Sequence, residues 1–138
     1  MGNIDFSKVV SLETAKATSV DRLLQLLAEH RWLRENEGVK VTEEAHFQSD
    51  RTTRAELSSL LTNFELGTIQ DPITWKALSG WEVLGKDQLR HVLSMLNAHA
   101  QACFAAEKTV AALIEADEIK SAEDFDDAFR SAYESGST

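Results

Sequence analysis

Apolar positions in the first quarter of the chain recur at helical spacing. Leu12, Ala15, Val20, Leu23, Leu24 and Leu27, then Trp32 or Leu33, predict a helix opened by Ser11 with Glu13 and Thr14 and running through Glu37. Gly38, free to adopt the left-handed conformation, closes it. Asp21 and Arg22 follow Ser19, which allows a break near Thr18-Ser19 with Ser19 capping a second segment. Ahead of the helix, Ile4, Phe6, Val9 and Val10 interleave with Asp5, Ser7 and Lys8, so residues 1–10 read as an apolar arm that packs on the body or on a partner.

The period then changes. Val39-Lys40-Val41 and Ala45-His46-Phe47-Gln48 alternate around Thr42-Glu43-Glu44, which predicts a short hairpin. Thr53 and Glu56 form a capping-box pattern, and Leu57, Leu60, Leu61 and Phe64 follow at i, i+3, i+4 and i+7 before Gly67, so a second, amphipathic helix is expected. Asp71-Pro72 marks a turn. Ile73–Ala77 and Trp81–Leu84 flank Leu78-Ser79-Gly80 as a second hairpin, placing Trp75 and Trp81 on or near facing strands, where such a pair buries a large area against helices behind it.

The longest pattern runs from Asp87 to about Ala116. Leu89, Leu93, Leu96, Ala100, Cys103, Val110 and Ile114 keep a four-three alternation interrupted only by Glu107, and Val92, His99, Ala106 and Leu113 widen the stripe to one side. About 30 helical residues at 1.5 Å each reach about 45 Å, longer than a small domain is wide. That excess predicts contacts between copies as well as packing within the chain. Ser121 and Asp124 open a last short helix carrying Phe125, Phe129, Ala132 and Tyr133. The expected fold is mainly α with short β-hairpins, an α+β arrangement in which the long C-terminal helix packs with the N-terminal and middle helices. The expected divisions are the arm at 1–10, a helical domain at 11–116 and an acidic segment at 117–138.

Composition sharpens this in one respect. The chain has 138 residues, enough for one domain, and a formal charge of −9 that argues against nucleic acid and anionic membranes as partners. The charge is uneven: residues 115–138 hold eight acidic and two basic residues, a net of −6, while residues 1–114 carry −3. The acidic segment is either a solvated terminus or an arm for a basic partner surface, with Asp124, Asp126 and Asp127 as its candidate contacts. The lone Cys103 excludes an internal disulfide and a Cys-rich zinc module. The opening residues lack a secretory pattern, and the Met1-Gly2 start has Phe6 where a myristoylation signal has Ser or Thr. No apolar run reaches the roughly 20 residues that span a bilayer. A chain made and kept in a reducing cytoplasm, or assembled there into something larger, is expected.

Candidate chemistry is sparse. His99, Cys103 and Glu107 share a helix face at i, i+4 and i+8, a spacing able to supply metal ligands, but no second ligand pair matches it. His99 and Cys103 also fall inside the apolar stripe, where a buried thiol and a hydrogen-bonded core histidine are the ordinary outcome. His30, His46 and His91 stand alone, and Arg31/Arg34 and Arg51/Arg54 lie near Glu29, Glu35, Glu37 and Asp50 as ordinary ion pairs would. With no Gly-rich phosphate loop, nucleophile elbow, HExxH or CxxC, no catalysis, cofactor or metal is expected.

Taken in order, several segments resemble a small domain of unknown function found in bacteriophage and prophage tail proteins, associated with tail fibres and their assembly. The resemblance covers about residues 28–120. It rests on Arg31 to Glu37-Gly38-Val39, Phe47-Gln48-Ser49-Asp50-Arg51-Thr52-Thr53 leading into Leu57, Ile73-Thr74-Trp75-Lys76, Trp81-Glu82-Val83-Leu84, and Leu89 through His99-Ala100-Gln101, Phe104 and Glu107 to Ile114. Ile4 to Val10 also resembles the starts of some phage tail proteins. Gly85-Lys86-Asp87 departs from the family's Thr cap before the long helix. The resemblance brings no catalytic residues. It implies a structural component of the tail tip, baseplate or fibre attachment in the virion tail, assembled in the host cytoplasm and oligomeric, a trimer before other states, with other tail proteins as partners. A tail-fibre assembly chaperone that leaves before maturity is the first alternative. A phage protein that binds a host factor through an acidic surface is the second. On any of these, stability falls to Trp75, Trp81 and the stripe of Leu89, Leu93, Leu96, Cys103, Val110 and Ile114, and contacts fall to Ile4, Phe6, Val9, Val10 and the acidic segment.

Overall fold

The computed structural model describes residues 6–136, with side chains from Thr18 onward. Helix α1 (Phe6–Asn36) is followed by strands β1 (Val39–Lys40) and β2 (His46–Phe47), helix α2 (Arg51–Leu66), strands β3 (Ile73–Ala77) and β4 (Gly80–Leu84) and the long helix α3 (Lys86–Glu115); a short 3-10 turn at Ala122–Asp124 leads into α4 (Phe125–Gly136). The architecture is the expected one, mainly helical with two antiparallel hairpins.

The ends of these elements have local causes. Gly38 has φ +96°, and a Cβ there would lie 2.7 Å from both His46 Nε2 and Leu78 Cδ1, so conformation and space each require glycine. Asp50, rather than Thr53 with Glu56, caps α2: its carboxylate accepts from the Thr53 N–H at 3.1 Å and from the Thr53 hydroxyl at 2.6 Å. The helix therefore starts one turn earlier than the capping-box pattern suggests. Gly67, at φ +73°, ends it in the left-handed conformation. Gly85 stands at the N-cap of α3 with no side chain to offer, and the Gln88 carboxamide accepts from its N–H at 2.8 Å.

Two expectations about α1 do not hold as drawn. The helix is continuous through Thr18-Ser19, so there is no break, and it begins at Phe6, so the boundary placed at residue 10 falls inside a helix. Ile4 lies outside the described residues. The backbone of Phe6, Val9 and Val10 forms the opening turns of α1, and their side chains lie outside the description.

Helix α3 carries two apolar clusters in succession. Its first half meets α2 and the hairpins, where Leu89, Val92, Leu93 and Leu96 bury with Phe47, Leu57, Phe64 and Leu84. Its second half meets α1 and α4, where Cys103, Ala106, Val110 and Ile114 bury with Leu27, Phe125 and Phe129. All six stripe residues named from the sequence are buried within the chain itself. The packing within the chain that the width of the stripe predicts is thus found along both halves of the helix. The acidic C-terminal segment is docked through Phe125 and Phe129, while Asp124, Asp126 and Asp127 face solvent.

Candidate functional site

A band of polar side chains links α1, α2 and α3. Glu35, near the end of α1, is only 1% exposed. Its carboxylate accepts from Arg31 at 2.6 Å and from Arg54 of α2 at 2.7 Å, with Arg51 further out at 3.8 Å. Arg31 also donates from Nε to Glu107 of α3 at 2.9 Å, and its guanidinium lies 4.5 Å from the centre of the Phe104 ring. Burial alone lowers the basicity of Arg31, but its hydrogen bonds to Glu107 and Glu35 raise its pKa overall. Ser49 completes the band: its hydroxyl donates to the Glu35 carbonyl at 2.6 Å and accepts from the Gly38 N–H at 3.0 Å. Three helices are thus tied by matched charges, and the Ser49 hydroxyl ties the two ends flanking the first hairpin to α1. The residues read as ordinary ion pairs are partly a buried network.

The histidine–cysteine–glutamate triplet is divided among separate tasks. His99 Nε2 lies 2.8 Å from the Arg34 carbonyl, which can only accept, so Nε2 carries the proton and Nδ1 accepts from the Tyr133 hydroxyl at 2.8 Å. Cys103 Sγ sits 3.7 Å from His99 Nε2, and burial pushes its thiol up to about 11. Burial likewise raises Tyr133. Glu107 is turned to Arg31. Among the described residues no group of three His, Cys, Asp or Glu side chains could hold a metal ion. His30 packs edge-on to Phe129, with ring centres 5.0 Å apart, and reaches Asp126 at 3.5 Å.

Among the described residues, exposed large apolar side chains fall on α1 (Trp32 and Leu33, one of which the apolar repeat of that helix claims), at the end of α2 (Leu66) and on the second hairpin (Leu78, Trp81 and Val83). Lys76 pairs with Trp81 and Trp75 with Glu82, so the two tryptophans lie on opposite faces. Trp75 packs against the first cluster, with its indole N–H lacking a hydrogen-bond partner among the described residues. Trp81 is 70% exposed and Val83 60%, with Leu78 exposed in the turn. The expected burial of Trp81 is therefore reversed: the loop is two residues, Leu78-Ser79, not three, and that single step turns Trp81 outward. Lys76 Nζ sits 5.6 Å from the centre of the Trp81 ring.

A groove of about 390 Å³ opens beside β4. Phe47, Leu84 and Val92 line its depth, Val41 and Val83 its flanks, and Glu82 and Asp87 its acidic side. The hairpins that bound it are stitched at one end, where the Ser79 N–H donates to the His46 carbonyl at 3.2 Å and Gln48 donates to the Lys76 carbonyl at 3.0 Å. Neither Val83 as a surface residue nor this groove is marked by any motif in the sequence. The period-two alternation of Trp81 and Val83 was the available signal, because both must share a face.

The family described as Domain of unknown function (DUF4376) matches residues 16–129. The chain belongs to that family. The match spans both apolar clusters, the polar band and the two hairpins, so the groove and the exposed Trp81 face are parts of this DUF4376 domain. No curated protein and no solved structure matches the chain. No helix among the described residues is long and apolar enough to cross a membrane.

Proposed function

We propose that this DUF4376 chain is a non-enzymatic structural component of a bacteriophage tail tip, baseplate or tail-fibre attachment, working through docking surfaces rather than through a catalytic centre. The observation that carries the docking role is the outer face of the β3–β4 hairpin, which presents Trp81 and Val83 to solvent while the apolar stripe of α3 is internal. The placement in a tail rests on the resemblance of residues 28–120. Because the stripe of α3 is covered within the chain, contacts between copies, with a trimer favoured, fall to the hairpin face and other exposed surface. Mass spectrometry of purified virions tests the role: a stoichiometric presence is expected, and absence from mature particles overturns it.

Absence combined with co-purification from immature tails would favour the assembly-chaperone alternative. The host-factor alternative draws support from one observation, the exposure of Asp124, Asp126 and Asp127 on the 3-10 turn and α4. It predicts that a pull-down recovers a host protein and loses it on Asp126→Lys/Asp127→Lys.

A further inference from the structure

We infer that the groove beside β4 receives an extended peptide segment of a partner protein, one that alternates apolar side chains with Lys or Arg and pairs with the free edge of β4.

Strand β4 pairs only with β3 in a two-stranded sheet. In any such strand every second residue turns its N–H and C=O away from the partner strand. Among the described residues, no backbone hydrogen bond from residues 81–84 reaches another element. An edge of this kind is a template for one more strand unless charge, proline or a covering segment protects it. Glu82, Val83 and Leu84 of this strand line the groove. The cleft is walled on its far side by the first hairpin and floored by the start of α3.

The lining selects the occupant. Phe47, Leu84 and Val92 offer apolar contact to alternate side chains of an added strand. The charged residues of the lining are Glu82 and Asp87, with no Lys or Arg, and the exposed Glu43 and Glu44 stand in the chain between the lining residues Thr42 and Ala45. Glu82 accepts only from the Ser79 hydroxyl, at 3.3 Å. Asp87 pairs with Arg90 at 3.0 Å on open surface, a contact that a basic side chain can replace at little cost. A second copy of this chain fits poorly, since β4 carries Glu82 and no basic residue, so edge-to-edge pairing of two β4 strands supplies no complementary charge, in a molecule whose net charge is −9. A basic-apolar segment meets complementary charge instead.

This deepens the docking role proposed above and rests on it, but not on residence in a virion. Selection of a random decapeptide library against the full chain tests it, followed by NMR mapping and binding of the enriched peptides. Enriched sequences are expected to alternate apolar residues with Lys or Arg and to shift the amides of residues 41–47 and 82–92. They should bind at least tenfold more weakly to Glu82→Lys/Asp87→Lys with an unchanged melting temperature, and as weakly when N-methylated at alternate positions. The inference is overturned if no sequence is enriched, if the enriched sequences lack basic residues, if the shifts fall elsewhere, or if N-methylation leaves binding intact. A concentration-dependent dimer abolished by Val83→Asp would also overturn it by placing a second copy on β4. The virion measurement separates the two proposals: a tail protein without this peptide binding keeps the role and loses the groove, and peptide binding by a chain absent from tails does the reverse.

Discussion

Glu107 of α3 meets Arg31 of α1 at 2.9 Å, at the single position where the apolar repeat of α3 is interrupted. The interruption is where α3 joins the polar band that runs through α1 to α2. An acidic residue in a seam looks like a defect in a pattern, but here it accepts from a guanidinium that is also held by Glu35 and stacked on Phe104. Removing either partner leaves a desolvated charge behind, which is why the network matters more when broken than when intact.

Glu35→Gln should therefore destabilise the fold by about 3 kcal/mol or more, the range for an uncompensated buried charge. Urea unfolding reads this directly. An Arg51→Ala substitution makes the contrast, since Arg51 is largely exposed and 3.8 Å away, and should cost well under about 1 kcal/mol. Equal losses from the two would mean that the buried pairs contribute nothing special.

The Cys103 thiol, raised by burial to about 11, should stay protonated and resist iodoacetamide at pH 8 until the protein unfolds. Its folded pKa lies above the unfolded value, so its contribution to stability is complete below about pH 8.5, the pKa of an exposed thiol, and fades as pH rises through about 11. Tyr133 shifts in the same direction. Cys103→Ala should flatten part of the alkaline loss of stability, and rapid alkylation of native protein at pH 8 would contradict the burial.

Asp50→Ala should remove the cap of α2 at a cost of about 1 kcal/mol. Burial pushes the Asp50 carboxyl up, but hydrogen bonds from the Thr53 hydroxyl and backbone N–H bring it down overall. A lowered folded pKa gives stability that is present above the ordinary carboxylate range and is lost as pH falls through the folded value. The substituted protein should thus lose less on acidification than the parent, measured as melting temperature between pH 6 and pH 3.

The two hairpin tryptophans should separate cleanly by stability. Trp81→Ser, at an exposed site, should change the melting temperature little, whereas Trp75→Ala should cost about 3 kcal/mol from lost packing. Comparable losses would mean that both rings are buried.

How far the sequence spoke for the structure follows from which forces are local. The stripe of α3, the repeat of α2 and both hairpins declare themselves because burial of one face imposes a period on the chain. The faces of Trp75 and Trp81 do not, because parity across a hairpin depends on whether the loop holds two residues or three, and Leu78-Ser79-Gly80 permits either. Residues Arg31, Glu35, Arg54 and Glu107 were each visible as charges, yet nothing in their spacing says that three helices bring them together. The Thr53–Glu56 cap misled for a related reason: Asp50, three residues before Thr53, offers a stronger acceptor to the same N–H. The groove is the least legible feature, since it is built from the gap between two elements and from no repeat in either.

Helix α3 threads both clusters without a break and so acts as a strut. At about 1.5 Å per residue its 30 residues set a length of about 45 Å. The Trp81 face and groove sit toward one end, and the acidic exterior around Asp124 toward the other. Two partners held there would be kept apart at a separation fixed by helix geometry, and a pull on one would pass lengthwise to the other with little slack.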